Sequence, residues 1–354
     1  MKTLLLSLLL SLLWRVPLAL AVLLGSGWGA LALYFRGPES LALRVLLITL
    51  WLLPALAALL GIALVRSGPL ALAGPALFAF VALVLGLWWH TITPSHERDW
   101  APDVARLLHA TREGDIVTLD NVRNFEWRTR EDFDAHWESR RYDLSELESA
   151  DLIVSYWMGP TIAHTLVSFG FTDGRHLVFS VEVRRTRGQS FSAIGGFFRQ
   201  SELVLVAADE RDIIRTRSNA RGESVYLYSV ALSPAAMRSL FEAYLDEADQ
   251  LEDAPRFYNT LTSNCTTIVY DMVKRIVPGL PWDYRLLASG YLPDYIYDLG
   301  ALNTHYPLAE LERRGHINTR ALASDRDGHS TSEFSRAIRR GVPTARIETG
   351  DDIR

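Results

Sequence analysis

The chain has 354 residues, 49% of them hydrophobic, and a formal net charge of -5. That balance provides no overall basic field for nucleic acid, and a single cysteine excludes both an intrachain disulfide and a cysteine-based zinc site. The average conceals an asymmetry, because residues 1–90 are almost free of charge and everything after His90 has the mixed polarity of a soluble domain.

Three apolar stretches, 16–35, 41–65 and 69–89, each reach the roughly 20 residues a helix needs to cross a bilayer. They predict three transmembrane helices in a membrane domain covering 1–90. Lys2 followed by the leucine-rich residues 4–13 is similar to a signal peptide. No small-residue cleavage site follows, and Trp14-Arg15 leads into more apolar sequence, so an uncleaved anchor is expected. Three crossings put the two ends of the chain on opposite sides. Charge does not orient the bundle: Lys2, Arg15 and Arg66 would share one side against Arg36 and Arg44 on the other.

Residues 91–114 read as a juxtamembrane linker, with Trp88, Trp89 and Trp100 suited to the membrane interface and 103–110 forming a short amphipathic helix. His90, His96 and His109 are irregularly spaced there and read as solvated linker residues, not metal ligands. A mixed α+β domain is expected over 115–306. Strand patterns fall at 115–121, 151–157, 163–171, 175–184, 203–208 and 224–232, with a charged, aromatic-bearing segment at 123–141. Thr172-Asp173-Gly174 marks the clearest hairpin. Ser233-Pro234 starts a helix whose face is Met237, Leu240, Phe241, Tyr244, Leu245 and Ala248. From 307 to 354 the periodicity weakens into a polar C-terminal tail.

The only cysteine lies in Ser263-Asn264-Cys265-Thr266-Thr267, just ahead of a second helical pattern, Ile268, Val269, Met272, Val273 and Ile276, which Pro278-Gly279 ends. Ser263 or Asn264 can cap the free N–H groups of that first turn, and the same N–H groups favour a thiolate. A lone cysteine is more often a small buried apolar residue; its place at a helix start is what sets this one apart.

A thiolate nucleophile needs a base and a group to orient that base. His164 begins a half-buried strand of the hairpin. A three-residue loop with Gly174 in the left-handed position pairs Phe171 with Arg175, and that register carries His164 directly across from Glu182. His176 has the same parity but lies about 20 Å along the sheet. A two-residue turn would put Glu182 on the other face, and an ion pair with Arg184, Arg185 or Arg187 is its alternative role. Arg215 and Arg217, with Glu210-Arg211-Asp212 and Arg221, form either an anionic-headgroup clamp or a solvated salt-bridged face. Tyr258 either lines the site or packs beneath it. No metal or cofactor is expected.

The run Ala163-His164-Thr165, the hairpin, the strand and helix to Leu251, and Phe257-Tyr258-Asn259 followed by Asn264-Cys265-Thr266-Thr267 resemble the periplasmic domain of the Lnb family of bacterial lipoprotein transacylases over about residues 150–280. The resemblance implies a permuted papain-like thiol domain preceded here by three transmembrane helices, with a Cys-His site. It also implies an inner-membrane location with the domain in the periplasm, and acyl transfer onto a lipoprotein terminus. On this expectation Cys265 and His164 work through a thioester, the Cys265 N–H and the Asn264 side chain stabilise the oxyanion, and Tyr258, Arg215 and Arg217 meet a membrane lipid or bacterial lipoprotein. The rivals are a cysteine amidase or peptidase acting on cell-envelope peptides and a non-catalytic membrane scaffold.

Overall fold

The computed structural model describes residues 2–65, 70–328 and 330–345. The chain divides into two compact units: Met1–Ser95 with Ser192–Gln200, and His96–Phe191 with Ser201–Arg354.

The first unit is built on α1 (Lys2–Arg36), α2 (Leu41–Leu64) and α3 (Leu70–Thr91). Leu12–Arg36, Leu41–Leu64 and Ala71–Thr91 are long and apolar enough to cross a membrane. Helix α1 continues unbroken through the stretch that is similar to a signal peptide. Arg15 donates to the carbonyls of Ile62 and Val65 (both 2.9 Å), answering the open C-terminal end of α2. Arg66 lies outside the described residues. The segment 192–200, which the sequence placed in the soluble domain, belongs with these helices instead. Its Phe198 stacks on Phe35 at 5.7 Å, and Arg199 donates to the carbonyls of Trp89 and Ile92 (3.0 and 3.1 Å). An apolar run inside a polar domain is a local signal whose partner only the tertiary structure reveals.

The second unit is a mixed α+β fold. Its strands are β1 (His109–Glu113), β2 (Ile116–Arg123), β3 (Glu126–Trp127), β4 (Phe133–Asp134), β5 (Trp137–Asp143), β6 (Leu147–Tyr156), β7 (Ala163–Phe171), β8 (His176–Arg184), β9 (Glu202–Ala208) and β10 (Ser224–Ser229). Its helices are α4 (Glu210–Arg215), α5 (Pro234–Asp253), α6 (Thr267–Ile276), α7 (Leu292–Asp298), α8 (Leu308–Gly315), α9 (Asn318–Arg326) and α10 (Thr331–Ile338). An eight-stranded sheet runs β1-β2-β9-β8-β7-β6-β10, with β5 also paired to β2. Only the β2–β9 pairing is parallel among the described pairs of this sheet.

Helices cover both faces of that sheet, and the alternation of strand side chains divides the core accordingly. Odd-numbered residues of β7 and β8, such as Phe169 and Phe179, pack under α5 and α6 with Phe241, Tyr244 and Met272. Even-numbered ones, such as Leu166 and Val178, pack with Ile213 and Ile214 of α4 and with Ala321, Phe334 and Ile338 of α9 and α10. Residues 307–328 and 330–345 are therefore no tail. Their apolar residues are sparse, but Leu311, Ile317, Ala321, Phe334 and Ile338 are all buried, while the charged residues between them hide the period from sequence inspection.

The expected linker also folds. In place of a helix over 103–110 there is one turn at Pro102–Val104 and then β1, which enters the sheet beside β2. Buried Asp103 accepts from Arg185, and the imidazoles of His96 and His109 bind the Glu252 carbonyl and carboxylate (3.0 and 2.9 Å). Tertiary pairing outweighs a weak local helix propensity here.

Candidate active site

The hairpin that carries the histidine has the register expected from its loop. Leu166 pairs with Ser180 and Gly170 with His176, while Phe171 N–H donates to Arg175 across a loop in which Gly174 has φ +82°. A side chain at 174 would meet no neighbour, so it is the left-handed backbone that requires glycine. Continuing the register puts Glu182 opposite His164, and the two side chains touch: Nε2 of His164 lies 3.2 Å from Glu182 Oε1. Ser180 sits between them, 2.8 Å from His164 Nε2 and donating to Glu182 Oε1 at 2.8 Å. With Nε2 engaged in this way, Nδ1 is the ring's remaining nitrogen.

The start of β7 is clamped from outside the hairpin. Ser289 Oγ donates to the carbonyl of Ala163 (2.6 Å) and accepts from its N–H (3.0 Å), so one hydroxyl does the work of a neighbouring strand next to the histidine. Gly290 packs so closely on the Pro160 carbonyl that a Cβ there would overlap it.

Cys265 arrives from the other layer of the fold. It is 7% exposed and belongs to the core under α5 and α6, whereas His164 shares the parity of Leu166 on the opposite face. They meet where the β7–β8 ladder stops, at Leu166–Ser180, one pair short of His164 and Glu182. Thr165 binds the cysteine there: its hydroxyl donates to the Cys265 carbonyl at 3.1 Å. His164 is near enough for the two groups to shift each other's protonation.

The two reacting groups shift each other's protonation. Burial pushes the Cys265 thiol up, but the charge and hydrogen bond of His164, followed by Thr165, outweigh it and bring the thiol down to about 7. Burial and Arg217 pull His164 down, yet Glu182 and Cys265 outweigh them and raise it to about 9. Burial raises the Glu182 carboxyl, but His164 and Arg217 hold it well below the usual range. Between about 7 and 9, then, thiolate and imidazolium coexist.

Each residue named from sequence has a place. Asn264 Oδ1 accepts from the N–H groups of Thr266 and Thr267 (both 2.9 Å), capping the turn that carries the cysteine, and its Nδ2 donates to the Thr260 carbonyl at 2.8 Å. One of its two amide N–H groups is thus committed to the loop before the cysteine. Arg217 donates to Glu182 Oε1 at 2.7 Å and lies 3.5 Å from Glu223; it is 7% exposed. Arg215 is held by Asp325 (2.5 Å) and the Trp127 carbonyl (2.8 Å). Neither guanidinium stands open as a headgroup clamp, and only Arg217 reaches the site. Arg184, Arg185 and Arg187 bind Val104, Asp103 and Asp99, while Glu182 meets His164, Ser180 and Arg217. Tyr258 packs on the core beside the cysteine. Burial first, and then the charge of Cys265, raises both its hydroxyl and that of Tyr244.

Sequence inspection missed Ser180, Ser289, Thr165 and Tyr244. Only Ser180 left a signal: it has the parity of Glu182 and lies two residues away, so it must share that face. The Tyr244 hydroxyl is fully buried without a hydrogen-bond partner among the described residues. Beside the site, an uninterrupted stripe of α6 faces a cavity of about 1020 Å³.

Residues 133–290 match the family model described as the Lnb N-terminal periplasmic domain, and this span contains His164, Glu182 and Cys265. Comparison with curated proteins and with solved structures gives no match. The resemblance carried by Ala163-His164-Thr165 and Asn264-Cys265-Thr266-Thr267 therefore holds, over a longer segment than those motifs span. With three helices apolar enough to span a bilayer, the chain is a membrane-anchored protein with a periplasmic domain.

Proposed function

We propose that this chain, carrying an Lnb-type periplasmic domain, is a cysteine-dependent acyltransferase or hydrolase that takes an acyl group from a lipid or lipoprotein ester through a thioester. The observation that carries this reading is the pairing at the end of the β7–β8 ladder. A cysteine thiol lowered to about 7 sits against an imidazole raised to about 9, with Glu182 behind the ring. A purely structural cysteine has no use for a charged histidine at its sulfur. We read the fold as papain-like with its order permuted, since the histidine strand precedes the cysteine helix along the chain.

In the forward step the Cys265 thiolate attacks the ester carbonyl. The oxyanion forms within reach of the Cys265 N–H at the open end of α6, where the helix dipole adds to the donor. The C–O bond breaks, the alkoxide leaves with the proton of the His164 imidazolium, and the acyl group remains on sulfur. An amine or water then attacks the thioester and passes its proton to neutral His164; the C–S bond breaks and the thiolate–imidazolium pair returns. Glu182, Ser180 and Arg217 act through the ring by fixing its orientation and charge, and Asn264 acts through the helix turn it caps.

The three candidate spans keep the enzyme and a lipid-borne acyl group in one membrane plane, which raises their rate of encounter. An inner-membrane placement with the domain in the periplasm puts the N-terminus on the cytoplasmic side.

The test is labelling of the full-length protein in detergent with an acyl probe that traps a thioester. Wild type should be labelled, and Cys265→Ala and His164→Ala should each lose the label to a similar extent, because a nucleophile and its base act as a unit. Label that persists in Cys265→Ala rules out the thioester route.

A further inference from the structure

The cavity along α6 has no role in the chemistry above. Its lining begins at Thr266, whose hydroxyl lies 3.9 Å from the Cys265 sulfur, and continues through Val269, Tyr270 and Val273 to Val277. These positions follow the helical period, so they form one stripe of α6. Leu286, Leu292 and Ile296 belong to the facing wall, supplied by chain that follows the helix. Among the described residues no Asp, Glu, Lys or Arg lines the cavity. The polar lining beyond Thr266, Tyr270 and Tyr295 is Asn303, Thr304, His305 and Thr344, so an occupant is hydrocarbon-like over the remaining, aliphatic wall. At about 1020 Å³ the space is at the upper end of the roughly 300–1,000 Å³ that ligand pockets span.

Its length can be compared with an acyl chain. From Thr266 to Val277 the helix axis advances roughly 16 Å at 1.5 Å per residue. An extended chain of single bonds advances about 1.2 Å per bond, taking three bonds to a residue's 3.3–3.6 Å. About 14 bonds fit between the nucleophile and the far end, the length of a myristoyl or palmitoyl chain.

We propose that this cavity is the slot for the hydrocarbon of the acyl group carried on Cys265, and that its length selects long-chain acyl esters. The proposal rests on the thiol acyl-transfer reading and adds the class of acyl group and where it lies. Either a phospholipid or a diacylglyceryl-modified peptide could supply such a chain, since the slot reads only the hydrocarbon.

The experiment measures kcat/KM of the full-length protein in detergent on aryl esters from butyryl to palmitoyl, for wild type, Val273→Trp and Val269→Trp. In wild type each added methylene should raise kcat/KM about threefold to fourfold, the equivalent of about 0.8 kcal/mol, until the slot is full. A tryptophan at Val273 should lower long-chain turnover at least tenfold and leave the butyryl ester within about twofold, and one at Val269, nearer the nucleophile, should lower long-chain turnover more than butyryl turnover. If the variants keep the wild-type chain-length profile, the slot is refuted while the thiol chemistry stands. If wild type turns over no ester at any length, the underlying reading fails instead. The slot then has its own readout in a photoreactive fatty acid, which should crosslink to α6 or residues 280–296 and be displaced by palmitate; crosslinking elsewhere overturns it. Acyl release from phospholipid vesicles and from a diacylglyceryl peptide, run side by side, identifies the donor, and release from neither refutes a long-chain ester substrate.

Discussion

Two clusters of buried charge lie on one face of strands β6–β8, four residues or about 13 Å apart along β7. Both contain a serine, at least one carboxylate and an arginine. At Ser168 the arginine is Arg339, which follows the last residue of α10 and whose three guanidinium nitrogens bind Asp151, Glu210 and the Ser335 carbonyl, while Ser168 donates to Glu210. Burial keeps the Asp151 carboxyl above its ordinary range. In Glu210 burial is outweighed by Arg339 and the nearby His176, and the carboxyl is held far below. That cluster closes on itself. The cluster at His164 has the same parts, but one end is an imidazole that faces a sulfur, and both of those groups have left their ordinary pKa values. On the proposed reading, buried charge serves chemistry where a titratable member faces a nucleophile; fully paired, it fastens the fold.

The closed cluster should give the largest effect, and on stability alone. Arg339→Met leaves Asp151 and Glu210, both almost fully buried, facing each other without the guanidinium that binds both. Removing one partner of such a group costs about 3–5 kcal/mol, so thermal unfolding of the detergent-solubilised protein should show a clear fall in midpoint. The folded fraction should keep the wild-type pH profile of kcat/KM. A shifted profile would join the two clusters into one functional network and remove the contrast.

The open cluster should respond in the opposite manner, with a modest change in stability and a shifted profile. The rate should rise through about 7 as the thiolate forms and fall through about 9 as the imidazolium loses its proton. Glu182→Gln removes a charge that raises His164 and leaves burial and Arg217 pulling it down. The alkaline limb should therefore move below 9, with kcat reduced about tenfold, or about 1.4 kcal/mol. Arg217→Met removes a group that lowers His164 and should move the same limb upward. Linkage adds a check on sign. A histidine raised from 6.5 to about 9 alone would lose stability as pH rises through that window, but the thiol lowered from 9.0 to about 7 gains it over nearly the same range, so the pair should leave stability almost flat between 7 and 9. A limb that stays at 9 in both variants would show that another group sets it.

These contrasts were partly legible in the sequence. The His164–Glu182 register follows from one loop, because Gly174 supplies the left-handed residue a three-residue hairpin needs and side chains alternate with a period of two. The cysteine helix and its Asn264 cap are equally local. What sequence could not supply comes from far along the chain or needs the tertiary fold. Ser289 reaches Ala163 across 126 residues, and Arg217 reaches Glu182 across 35. Arg217 is indistinguishable in sequence from its neighbour Arg215, which binds Asp325 instead. Opposite strand faces would have argued against a meeting of Cys265 and His164. The ladder's early end permits it, and no residue type announces that end. Residues 96–113 and 307–345 carry too few apolar residues in any one period to predict their burial.

The smallest expected effect discriminates best, because the two clusters offer the same substitution. Ser168→Ala removes a donor to Glu210 that Arg339 still binds through two nitrogens, so it should cost about 1 kcal/mol of stability and leave turnover unchanged. Ser180→Ala removes the hydroxyl between His164 Nε2 and Glu182 Oε1, where the direct contact of 3.2 Å remains. A similar stability cost is expected, together with a fall in kcat of several-fold, at unchanged KM, since the ring loses a fixed partner while the acyl-binding surface is untouched. Paired measurements of unfolding midpoint and kcat on the two variants decide the matter. If both lose stability equally and neither changes kcat, the serine at the open cluster fastens the sheet just as its counterpart does, and the orientation of His164 must come from Glu182 alone.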